Sequence, residues 1–84
     1  MTTQTINKYN SENKKEGHWV ERHSNGSLFY VGHYIDGKRD GYWEWYYTNG
    51  QLMYKGHYIN GKRDGYWETY YKDGELCNKE MYIN

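Results

Sequence analysis

Gly41 to Asp64 reads GYWEWYYTNGQLMYKGHYINGKRD, and two of its features decide the fold. One is Asn49-Gly50, set between two aromatic runs. Asn-Gly is the strongest short-range hairpin signal, because a type I′ turn needs positive φ at both central residues. The other is recurrence. Gly17 to Asp40 reads GHWVERHSNGSLFYVGHYIDGKRD and shares fourteen positions with this block; Gly65 to Asn84 reads GYWETYYKDGELCNKEMYIN and shares twelve of its twenty. Upstream, Asn13-Lys14-Lys15-Glu16-Gly17 is similar to Gly37-Lys38-Arg39-Asp40-Gly41. The reading is a repeat domain over 9–84: a partial repeat 9–16, full repeats 17–40 and 41–64, and a partial repeat 65–84. Residues 1–8 fall outside the pattern and are expected to form a disordered tail.

Taking Asn49-Gly50 as a two-residue loop sets a register. Tyr46 faces Met53, Trp45 faces Tyr54, Glu44 faces Lys55 and Trp43 faces Gly56. The same register puts Val20 opposite Val31 and Glu68 opposite Lys79. Both members of the pair change character together between repeats, as favourable cross-strand pairs should. The register also sets Trp19 over Gly32 and Trp43 over Gly56, an aromatic covering a strand glycine. A second turn is expected at Asn60-Gly61. If it is tight, Tyr58 faces Arg63 and Tyr54 faces Trp67; the Lys-Arg-Asp-Gly stretch could instead form a longer loop.

Composition agrees with strands. The chain has 84 residues, twelve Tyr, four Trp, ten Gly, no Pro and no Ala, the best helix former. Eleven basic residues balance eleven acidic ones, which argues against a general grip on extended nucleic acid. No apolar run approaches the ~20 residues of a membrane-spanning helix. Cys77 is the lone cysteine, so no internal disulfide forms and a cytoplasmic location is expected, the host-cell cytoplasm if the protein is viral. A 24-residue period is even, so every repeat shows the same residues to the same side of a sheet. One side then carries Trp19, Leu28, Tyr30, Tyr34, Trp43, Trp45, Tyr47, Leu52, Tyr54, Tyr58, Trp67, Tyr71, Leu76 and Tyr82. The other is mixed and includes His33, Tyr42, Glu44, Tyr46, Met53, Lys55 and His57.

The second block, through Gly41, Trp43, Tyr46, Tyr47, Asn49, Gly50, Leu52, Gly56, Tyr58, Asn60, Gly61, Lys62 and Gly65, resembles the MORN (membrane occupation and recognition nexus) repeat variant. The first block departs at Arg22 and His23, where the family has aromatics, and the third at Glu80, where it has Gly. The resemblance implies a meander of β-hairpins in one elongated, twisted sheet. The expected fold is thus all-β, a single-layer antiparallel meander of about six strands.

No catalytic motif is present: no nucleophile elbow, no phosphate-cradling Gly loop, no clustered carboxylate pair. An enzyme is not expected, and neither is a cofactor. His18 and His33 face each other about 5 Å apart, but two imidazoles without further ligands do not make a metal site. What needs explaining is the aromatic side, since a single layer must cover its apolar face with something: the sheet curls so that Tyr and Trp pack edgewise on their neighbours, two chains stack faces, or the face receives a partner protein or a flat ligand. Tyr and Trp are enriched at interface hot spots. The expected site is therefore an aromatic binding face of Trp43, Trp45, Tyr47, Tyr54, Tyr58, Trp67 and Tyr71. Its expected occupant is a partner protein, with the chain itself a homodimer. Some bacterial members of the resembled family are antitoxin-like, which implies an inhibitor that masks its partner. The alternative is nucleotide sequestration, a viral sponge against nucleotide-based immunity, with rings stacking a base and Lys38, Arg39, Lys62 and Arg63 holding phosphate. A second alternative, weaker on neutral charge, is a scaffold on anionic lipid.

Overall fold

The computed structural model describes residues 6–83. Those residues form one antiparallel sheet of eight strands and no helix. The strands are β1 (Lys8–Tyr9), β2 (Lys15–Arg22), β3 (Leu28–Ile35), β4 (Lys38–Arg39), β5 (Gly41–Tyr46), β6 (Leu52–Ile59), β7 (Lys62–Tyr70) and β8 (Leu76–Tyr82). Their order is β1-β2-β3-β5-β6-β7-β8, with β4 paired to β3. It is a meander, as expected. The two strands beyond six are the two-residue β1 and β4.

The expected register holds in the strand centres. Trp45 pairs with Tyr54, Glu44 with Lys55 and Trp43 with Gly56; Val20 pairs with Val31 and Glu68 with Lys79. It fails near the turn, where Tyr46 pairs with Leu52 rather than Met53. The Tyr47 amide donates to the Gln51 carbonyl and the Gly50 amide to the Tyr47 carbonyl, so the loop has three residues, Thr48 to Gly50. Gly50 takes φ 89° while Asn49 stays out of the positive-φ region, and the Asn49 Oδ1 accepts from the Gln51 amide. This is a type I turn closed by a left-handed glycine. Met53 is then an extra residue on β6, a bulge that restores the expected pairing from Trp45 inward. The His23–Ser27 and Tyr71–Glu75 loops repeat the pattern.

The other turn is the tight one. Asn60 and Gly61 have φ of 51° and 82°, and Tyr58 pairs with Arg63. Beyond it, Lys55 pairs with Glu68 and His57 with Asp64, so β7 carries two more residues than β6 in this interval. Gly65, at φ 73°, lies in that excess. Tyr54 therefore faces Thr69, not Trp67.

The disordered tail expected at 1–8 falls partly on described residues. Residues 1–5 lie outside the described residues, whereas Lys8 pairs with Glu16, and the Asn7 side chain exchanges two 2.8 Å hydrogen bonds with the Val20 backbone. Lengthwise the Cα atoms span 40 Å, and the smallest extent is 23 Å, against about 10 Å for one flat layer. The sheet is twisted and curled over its own aromatic side.

Candidate functional site

Curling answers the question the aromatic side posed. Trp19, Tyr34, Trp43, Trp45, Tyr58 and Trp67 are the buried core, and Trp43 is fully buried. The rings pack edgewise on one another. Tyr34 meets Trp43 and Tyr58 meets Trp67 at 5.0 Å, each near perpendicular. Trp45 stacks between Trp43 and Tyr54. Aromatic rings in such pairs gain about 0.5–1.5 kcal/mol beyond their burial. Phe29 and Met53 also pack on this core; strand parity assigned Met53 to the other side, and it packs here where its bulge interrupts the alternation.

Each glycine is covered by a different indole from the one expected. The ring over Gly32 belongs to Trp43 and the ring over Gly56 to Trp67, although the paired residues are Trp19 and Trp43. The Trp43 Nε1–H donates to the His33 carbonyl and the Trp67 Nε1–H to the His57 carbonyl, both at 3.1 Å. Both indoles therefore reach back onto the preceding repeat.

The basic residues divide. Lys38 and Lys62 are exposed. Arg39 and Arg63 are half-buried and lie over the rings. The Arg39 guanidinium sits 5.4 Å from the Trp43 and Trp45 rings, and that of Arg63 sits 4.4 Å from Trp67. Lys15 lies 5.0 Å over Trp19, so one cation per repeat covers the aromatic side. These are cation–π contacts. The Arg39 Nε is buried without a hydrogen-bond acceptor, as expected for a guanidinium pressed against rings.

The expected binding residues are thus mostly interior. Trp43, Trp45, Tyr58 and Trp67 are buried, Tyr47 and Tyr54 half-buried, and Tyr71 exposed. Tyr47 ties neighbouring loops together, its hydroxyl donating to the Tyr70 carbonyl at the start of the next one. In the first repeat, where the aromatic is missing, His23 takes over, its Nε2 2.9 Å from the Tyr46 carbonyl. That contact requires the Nε2–H tautomer. Asn25 and Asn49 reach forward likewise, to the Thr48 and Lys72 carbonyls.

The surface left open is the other side of the sheet. Residues of one strand parity there form a row: His18 pairs with His33, Tyr42 with His57 and Tyr66 with Met81, and all six are exposed. Beside them, at the turn end, stand Ile35, Ile59 and Ile83, one per repeat, exposed by 49%, 51% and 88%. Among the described residues, six of the ten exposed large hydrophobic side chains fall on this side: Ile35, Tyr42, Ile59, Tyr66, Met81 and Ile83. The spacing of the isoleucines was visible in the sequence; that it matched the parity of His33 and His57 was the signal missed. Glu44 organises the middle of this side, accepting from the Tyr42 hydroxyl at 2.9 Å and the Tyr46 hydroxyl at 2.7 Å. Burial first, and then that carboxylate, raise both phenols, Tyr46 to about 12. Lys55 lies 3.6 Å from Glu68, not in an ion pair with Glu44. Among the described residues no three His, Cys, Asp or Glu side chains converge on a metal position.

A model of the MORN repeat variant matches three consecutive segments, 15–36, 39–60 and 63–84. The chain belongs to the MORN repeat variant family. Its matched segments begin at Lys15, Arg39 and Arg63, the cations that cover each MORN unit's tryptophan. Where the internal comparison gave two full repeats and partial ones, the family match counts three MORN units. MORN repeats are binding modules for proteins and membranes. No curated protein and no solved structure matches the chain.

Proposed function

We propose that this MORN-variant chain is a non-enzymatic module that recognises and masks a partner protein, in the manner of an antitoxin or inhibitor, in the cytoplasm. Its contact surface is the exposed side bearing Tyr42, Tyr66, Ile35, Ile59 and Met81, not the aromatic side named by the sequence. One observation carries this reading. The aromatic side is spent on the core, while six of the ten exposed large hydrophobics among the described residues share the opposite side. Contiguous exposed apolar surface on a small chain marks an interaction site. Tyr and Met are among the residues enriched at such sites, and Tyr is a frequent hot spot. Nucleotide sequestration is the weaker reading, because its stacking rings and two of its phosphate holders are packed on one another.

The first partner to test is a second copy. Sedimentation equilibrium at micromolar concentration is expected to give a mass above the 10.3 kDa of one chain. A Tyr66→Ser, Ile59→Ser double variant should return to the single-chain mass with its circular dichroism unchanged. A double variant that self-associates like its parent removes this side as the interface. A parent that stays at single-chain mass removes the homodimer.

A further inference from the structure

Three positions 24 apart hold Gly32, Gly56 and Glu80. The first two are docking points. A Cβ at Gly32 would lie 2.0 Å from Trp43 Cδ2, and one at Gly56 2.2 Å from Trp67 Cδ2. No side chain fits under those rings. A following strand joins the sheet by laying its indole flat across the bare backbone and donating Nε1–H to the next carbonyl.

Glu80 occupies that point on β8, the last strand of the sheet order. Its carboxylate is held on both oxygens, by the Asn78 amide at 2.7 Å and the Tyr82 hydroxyl at 2.9 Å. The opposite end of the sheet is closed by different means. Asn7 donates its backbone amide to the His18 carbonyl and binds both the amide and the carbonyl of Val20 through its side chain, as a strand residue would. Tyr9 meets Trp19 edge-on at 5.5 Å, the role Tyr34 has for Trp43. The Trp19 Nε1–H donates to the Glu21 carboxylate rather than to a carbonyl of the strand before it. Repeat arrays need terminal units unlike the internal ones.

We propose that Glu80 is an array stop: it closes the β8 edge to any strand carrying a tryptophan at the docking position, whether from a further repeat or from a second copy of this chain. Exposed sheet edges invite pairing, and an inward-placed charged side chain is one way to refuse it. Here the refusal is steric as well, because the ring needs the space that the Cβ fills.

The test appends a second copy of residues 37–60 directly after Asn84, which keeps the 24-residue period and brings a Trp43 equivalent to position 80. Hydrogen exchange of segment 76–82, unique in the extended chain, reads whether the new strand pairs with β8. With Glu80 kept, exchange there should equal that of the parent. With Glu80→Gly it should slow by about tenfold or more, the mark of a newly protected strand. Glu80→Gln should behave like Glu80, because the obstruction is the side chain itself. Unextended Glu80→Gly controls for the fold and should match the parent. Slowing in all extended chains, or in none, overturns the assignment.

Discussion

Trp45 and Tyr54 face each other across β5 and β6 and stack, ring centroids 4.7 Å apart and planes 25° from parallel. Trp45 is 7% exposed, and its neighbours on three sides are other rings of the core. Trp45→Ala is therefore expected to cost about 3–5 kcal/mol of stability, the range for emptying a large aromatic site. Urea denaturation checks it. A loss below about 1 kcal/mol would mean that Trp45 is a surface residue after all.

Two glycine substitutions separate contact from conformation. Gly56→Ala drives a methyl group into the Trp67 ring, whereas Gly26→Ala meets nothing within 4 Å but must hold φ at 91°. Overpacking should make the first cost about 3 kcal/mol. Backbone strain should make the second cost nearer about 1 kcal/mol. Thermal melts of the two proteins should rank them in that order, and the reverse order would mean that the indoles yield easily.

Alkali should weaken the fold in a defined window. Tyr46 keeps its proton to about 12 in the folded state, against the usual 10, and Tyr42 is raised in the same direction. From pH about 10 upward the unfolded chain releases these protons and the folded one does not, so stability present below that pH is lost as pH rises through the folded values. Spectrophotometric titration of phenolate should show late-ionising tyrosines. Glu44→Gln should bring them earlier, because the carboxylate that accepts both hydroxyls is gone.

Arg39 spans the Trp43, Trp45 and Tyr58 rings. Arg39→Ala should lower stability by about 1–2 kcal/mol through lost cation–π contact and lost ring cover. Arg39→Lys should restore part of it. Equal melting of all three proteins would show the guanidinium to be incidental.

The strand centres were legible because two signals coincide there. Asn49-Gly50 announces a reversal, and the Val20/Val31, Glu44/Lys55 and Glu68/Lys79 pairs change together. The turn region was less legible because one dipeptide serves two backbones. Asn60-Gly61 takes positive φ at both residues, whereas Asn49-Gly50 does so only at Gly50. The error stayed local because the extra residue in the loop and the bulge at Met53 cancel. The aromatic side was identified in the sequence, and curling was one of the three ways to cover it, but the sequence did not choose among them. Parity gives the side a ring lies on, not whether its neighbours cover it. The two additional residues of β7, with Gly65 at positive φ, carry Trp67 onto Gly56, and no local pattern announces that displacement.

Trp43 and Trp67 each belong to one repeat by sequence and to the previous one by contact. The loops lean the other way, with Tyr47 and Asn49 fastened to the loop that follows. The thermodynamic unit is therefore the seam between neighbours rather than the repeat itself. Neither repeat cut at its sequence boundaries, 17–40 or 41–64, carries both halves of a seam, and heat should open the sheet from one end, a seam at a time, instead of dissolving three units independently.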